Sequence, residues 1–218
     1  MKASFIRKTI LVSLAALLCM LSLASCKATL KPGENGLYDK QTQITYSHAS
    51  TVYEATKLVK EYGKLALTDK ESYALYTIPG MDPTEMLATE DYNIVYAEGV
   101  TMPTLLEMAP TILRICVDSS ETVREIHKLD DSVAIASLVS DFTTGKSLSY
   151  PAGSPLRSYK ARFESVDYPG FYYTLTYVEY SEDLVVEEVN YGRFFLYNAF
   201  DQRFVPIGGD IHDALGLQ

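Results

Sequence analysis

Across 218 residues, 28 acids stand against 19 bases, for a formal charge of −9. That balance excludes nucleic-acid binding as a primary role, because phosphate contacts need Lys and Arg to displace counterions. Three cysteines are too few for a disulfide framework, while 17 tyrosines and no tryptophan suit strands and amphipathic surfaces.

Lys2, Arg7 and Lys8 open the chain without an acid, and Ile10 to Leu23 is an apolar run broken by Ser13 and Ser22. The run falls short of the ~20 apolar residues of a spanning helix, and small residues follow it, which is the layout of a secretory signal. Its end, Leu23-Ala24-Ser25-Cys26, resembles the lipobox of bacterial lipoproteins. The resemblance implies that residues 1–25 are a signal peptide and that Cys26 takes a diacylglycerol on its sulfur. It also implies anchorage of the mature chain to the outer face of the cell membrane. The other reading is an ordinary secretory signal cut after Ala24 or Ser25. Two acyl chains, at about 0.8 kcal/mol per buried CH₂, make such an anchor permanent. Without the leader's three bases, 16 bases remain against 28 acids, a balance of −12. An acidic surface does not seek anionic headgroups, so the lipid on Cys26 is the expected membrane contact.

Residues 26–36 read as the lipidated cysteine and a flexible tether, since KATLKPGENG carries Pro and two Gly. Residues 37–218 read as a single extracytoplasmic α+β domain. Thr51-Val52-Tyr53-Glu54 has the spacing of a capping box, and Val52, Ala55, Leu58, Val59 and Tyr62 follow at helical intervals, so a helix is expected over 51–62. Apolar bursts at 64–68, 73–78, 86–89 and 94–97, separated by turn residues, predict strands. Asp82 to Glu85 and Pro103 to Met108 fit either a strand or a short helix.

Ile112 to Val117 and Val123 to Leu129 predict two more strands. Asp131 then offers a cap, and Ile135, Leu138, Val139 and Phe142 recur at i, i+3, i+4, i+7, predicting an amphipathic helix over 131–143 that ends at Gly145. From Tyr159 the period is two. Strands are expected at 159–164, 171–178, 184–189, 193–198 and 203–207, before a short helix over 210–215. The expected fold class is therefore α+β, a mainly antiparallel sheet with a C-terminal meander covered by one or two amphipathic helices. The stretch VREIHKLDDSVAIASLV resembles segments of uncharacterised Firmicutes lipoproteins, which implies a similar lifestyle and no particular activity.

Catalytic signatures are sparse. No G-x-S-x-G elbow, phosphate-cradling glycine loop or H-E-x-x-H pair is present. Asp210, His212 and Asp213 suggest a cation site on a short helix, or else a cap and two solvated side chains. Acid pairs at 90–91, 130–131, 182–183 and 187–188 sit mostly at turns and caps, where acids are ordinary. Cys116, between Ile115 and Val117, reads as a small buried core residue. Tyr173 and Tyr177, alternating with Leu175, are expected to fill a sheet face. Tyr172 and Tyr180, on the opposite face, are the expected binding residues. No catalytic residue, metal or cofactor is assigned. The sequence thus points to a membrane-anchored, non-catalytic binding module for a protein or glycan. Its rival is a carboxylate-dependent hydrolase acting on the cell wall or a surface glycan.

Overall fold

The computed structural model describes residues 28–33, 36–66, 72–118, 123–151 and 153–214. Cys26 and the signal-like leader lie outside them. Eight short strands occupy the first half: β1 (Ala28–Gly33), β2 (Gly36–Asp39), β3 (Ile44–His48), β4 (Tyr53–Ala55), β5 (Glu61–Ala66), β6 (Ser72–Tyr76), β7 (Met86–Thr89) and β8 (Ile94–Ala97). Seven of them close into a barrel in the order β1-β2-β3-β8-β7-β6-β5. Neighbours are antiparallel except at the closure. There β1 runs parallel to β5, setting Ala28, Thr29 and Leu30 against Gly63, Lys64 and Leu65. Gly63 is needed at this seam, since a Cβ there would lie 2.2 Å from the Ala28 carbonyl oxygen. Leu30, Leu37, Tyr46, Leu65, Leu75, Leu87 and Val95 fill the interior. Fully buried Tyr46 satisfies its polar end by donating its hydroxyl to the Pro83 carbonyl at 2.9 Å.

Two sequence expectations change in this half. Residues 28–33, assigned above to the tether, are a barrel strand, because Ala28 and Leu30 alternate with exposed Thr29 and Lys31 and reach the barrel core. Residues 51–62, expected to be a helix, are a turn, β4, an irregular connection and the start of β5. Tertiary partners override the helical spacing there. The Tyr53 hydroxyl donates to the Pro103 carbonyl at 2.8 Å, and Glu54 is taken by Arg162 rather than by a backbone N–H. Asp82 to Glu85 forms a single turn, with the Asp82 carboxylate accepting from the Thr84 N–H and hydroxyl, and leads into β7.

The second half holds α1 (Leu105–Met108), β9 (Ile112–Asp118), β10 (Val123–Leu129), α2 (Ser132–Thr144), β11 (Arg157–Glu164), β12 (Phe171–Glu179), β13 (Val185–Val186), β14 (Val189–Asn190), β15 (Phe194–Asn198), β16 (Arg203–Pro206) and α3 (Gly209–Ala214). Six strands form a sheet in the order β10-β9-β11-β12-β15-β16, and β4 adds to one end of β12. The class is thus mostly β with few helices. Its architecture includes a seven-stranded barrel that the expected meander did not contain. The strand expected over 184–189 is instead split by a turn in which Glu187 and Glu188 are both left-handed, giving the two-stranded hairpin β13–β14.

Asp131 caps α2 by accepting from the Val133 and Ala134 N–H groups, and the buried side of that helix is Ile135, Leu138, Val139 and Phe142. They pack on Leu113, Ile115, Ala161, Phe163, Leu175, Tyr177, Leu196 and Val205 of the sheet. A separate cluster joins barrel to sheet through Ala55, Ile78, Met86, Ile94, Met108 and Phe171. The sheet face away from α2 is apolar over β15 and β16, where Val178, Phe195, Phe204 and Leu148 cluster. Over β9, β11 and the start of β12 the same face is polar. Among the described residues no helix is long and apolar enough to cross a membrane.

Candidate functional site

The polar face follows from strand alternation. Ala161 and Phe163 of β11 point at α2, so Ser158, Lys160, Arg162 and Glu164 point away. Cross-strand register sets Lys160 between Cys116 and Thr176, and Arg162 between Arg114 and Thr174. From β4, paired with β12, Glu54 reaches the same surface opposite Tyr172.

The charges there are matched. Arg162 donates to both oxygens of Glu54, the Nε bond being 3.1 Å. Lys160 Nζ lies 2.7 Å from Asp118 and 3.7 Å from Glu54. Arg114 bridges Glu125 at 2.6 Å and Glu164 at 2.7 Å, and these hydrogen bonds hold its guanidinium above its ordinary value. Beneath them Cys116 is buried and unpaired with another cysteine among the described residues. Burial pushes its thiol up, against an opposing pull from Arg162.

Beside Lys160 the surface opens into a cleft of about 380 Å³, within the size range of small-molecule sites. Thr51 and Val52 form one wall, Asp118 and Lys160 another. Ser158, Thr174 and Thr176 form the floor, and Tyr197 stands at the side. Among the described residues nothing donates to or accepts from the hydroxyls of Thr51, Ser158 and Thr176, whereas Thr174 reaches Glu54 at 3.5 Å. The cleft therefore offers uncommitted hydroxyls, each both donor and acceptor, next to an ion pair whose charges cancel. Among the described residues Asp118 is the one acid in its lining. The adjacent acid pairs of the sequence contribute nothing to it.

Tyr172 is half-buried at one end of this face, with the Arg162 guanidinium 5.2 Å from its ring centroid, and burial chiefly raises its hydroxyl. Tyr180 follows the other end of β12, eight residues and about 26 Å along the strand, so the two tyrosines do not share one surface. The Tyr180 ring meets Phe195 and Phe204 edge-on, and its hydroxyl is buried, has no hydrogen-bond partner among the described residues, and is pushed up to about 12 chiefly by that burial. Tyr177 and Tyr173 belong to the α2-facing core. His212 stacks on Phe194 with centroids 4.0 Å apart, and its Nδ1 lies 2.7 Å from the Tyr177 hydroxyl, which docks α3 on the sheet. Among the described residues no group of three or more His, Cys, Asp or Glu side chains comes together as a metal site.

Sequence reasoning missed Glu54, Arg114, Asp118 and Thr176 as parts of one surface. The available signal was the run of Lys160, Arg162 and Glu164 on one side of β11, since three charges on a single strand face require partners across the ladder. No protein-family model, no curated protein and no solved structure matches this chain.

Proposed function

We propose that the chain is a lipoprotein held at the outer face of the cell membrane through Cys26, and that its cleft over β9, β11 and β12 binds a neutral glycan without catalysis. The observation that carries the ligand class is the cleft lining: three uncommitted hydroxyls and a tyrosine ring beside the self-neutralised pair of Lys160 and Asp118. Sugars present dense hydroxyls and apolar ring faces, which such a lining meets with hydrogen bonds and stacking. A phosphorylated or uronic ligand needs an unpaired cation, and both Lys160 and Arg162 are already engaged with carboxylates. Catalysis by a carboxylate pair needs two acids across the bound sugar, whereas Glu54 stands outside the lining and is shared by two bases.

The test is calorimetric titration of the full chain, in detergent, with neutral cell-wall oligosaccharides and with their acidic counterparts. Binding of the neutral series, weakened at least tenfold in a Ser158→Ala, Thr176→Val variant, is the expected result. Binding confined to acidic ligands removes the neutral-glycan reading. Release of new reducing ends, abolished by Asp118→Asn, establishes the hydrolase instead.

A further inference from the structure

Strand β10 ends the six-strand path. Its inner edge bonds to β9, and nothing among the described residues bonds to its outer edge. Five of its seven residues are exposed, including Val123 and Ile126 at 37 % each, and only Leu129 is buried beneath α2. A free edge of this length presents a row of unpaired N–H and C=O groups to another strand. It is guarded by charges at Arg124, Glu125 and Lys128 and by a bulge at Ile126, where pairing jumps from Glu125–Cys116 to His127–Ile115. Those guards admit one matched partner and reject most others.

We propose that the outer edge of β10 pairs antiparallel with β10 of a second copy of this chain, about a two-fold axis between Ile126 and His127. In that register residue 125 faces 128, 124 faces 129 and 123 faces 130, so Glu125 meets Lys128 of the other copy twice. Both side chains lie on the polar face, because Glu125 pairs with Cys116 and Lys128 with Arg114, which share that face. Each already holds an internal partner, Arg114 at 2.6 Å and Asp130 at 3.2 Å. They nevertheless keep 41 % and 39 % exposure and have room for a second. A slip of one residue in either direction sets side chains of opposite faces against each other, such as Arg124 of the α2 side against Lys128 of the polar side, which a ladder does not allow. The favoured register also brings the two bulges beside the axis, so each straight half of the strand meets a straight half. The axis is perpendicular to the sheet, so the two polar faces and their clefts look the same way, and a pair presents two identical sites to one extended ligand.

Charge swapping tests this in the full chain, in detergent, by sedimentation. Wild type is expected to dimerise reversibly. Glu125→Lys sets Lys against Lys128, and Lys128→Glu sets Glu against Glu125, so each alone weakens dimerisation about tenfold or more. An equimolar mixture of the two variants restores both opposite-charge contacts and dimerises as heterodimers, and the double variant in one chain does so with itself. Circular dichroism identical to wild type shows that lost pairing is not lost folding. Wild type that stays monomeric, single variants that dimerise like wild type, or a mixture no tighter than its components each overturns the proposal.

Discussion

Glu54 and Arg162 are 108 residues apart in sequence and form a two-oxygen ion pair that ties β4 to β11. Glu54 also stands within 3.7 Å of Lys160, so one carboxylate serves two cations at the joint where the barrel meets the sheet. The side chains of Glu54 and Arg162 are 16 % and 15 % exposed. Glu54→Gln keeps the shape, removes the charge and leaves Arg162 largely buried without its counter-ion. A loss of about 2 to 4 kcal/mol in urea unfolding is expected, since breaking one side of a buried pair costs more than the pair contributes. An unchanged midpoint places the strength of the joint in the apolar cluster around Phe171 alone.

Leu138 is 1 % exposed and sits centrally among the α2 residues on the sheet. Leu138→Ala is expected to cost about 2 to 5 kcal/mol, as transfer and cavity terms add, with a fall in Tm of several degrees. Ser137, next to it on the solvent side, tolerates Ala with little change. Equal melting curves for both variants contradict the packing of α2.

Burial raises several tyrosine hydroxyls, with Tyr53 and Tyr180 pushed up to about 12. The unfolded chain releases these protons near the ordinary value of about 10, before the folded one does, so it binds fewer protons at alkaline pH. Stability is therefore intact below about pH 10 and falls as pH rises toward 12. Phenolate absorbance is expected to rise in two stages, exposed tyrosines first and the buried set together with unfolding. Tyr53→Phe shallows the alkaline slope while losing about 1 kcal/mol at neutral pH with its bond to Pro103. A single tyrosine titration with no link to unfolding refutes this.

Cys116 is 2 % exposed and its thiol is pushed up by burial, so little thiolate exists at neutral pH. Native protein is expected to resist a maleimide at this position over hours, while urea-unfolded protein reacts within minutes. Rapid native labelling, located by peptide mass, means that the polar face opens readily above it.

Cys26→Ser removes the only atom able to form the thioether that the lipobox-like sequence implies. Unprocessed precursor or released protein is the expected outcome in cells. Mature, acylated protein from that variant, detected by mass spectrometry, defeats the anchor.

What could be read from the sequence was what local physics decides. The helix of Asp131 to Thr144 carries its own cap and an unbroken apolar stripe, so no distant partner is needed to place it. The motif Thr-x-x-Glu shows where local reading fails, as two of its occurrences make plain. At Thr104 and Glu107 it caps α1, with Glu107 accepting from the Thr104 N–H at 2.8 Å. At Thr51 and Glu54 it caps nothing, because Arg162 and Lys160 compete for the same carboxylate from across the fold. The barrel escaped for a related reason: Leu30 finds Leu65 through parallel pairing, with no turn between them to announce it. The polar face is likewise assembled from β4, β9, β11 and β12, and only its β11 charges are neighbours in sequence.

The parallel seam between β1 and β5 decides where the folded part can be trimmed. A chain begun at Leu37, the limit suggested by the polar composition before it, loses Leu30 from the barrel interior and leaves β2 and β5 each with a bare edge. Two raw edges on a short-stranded barrel invite intermolecular pairing, so such a chain is destined for aggregates, whereas one begun at Lys27 keeps the ring shut.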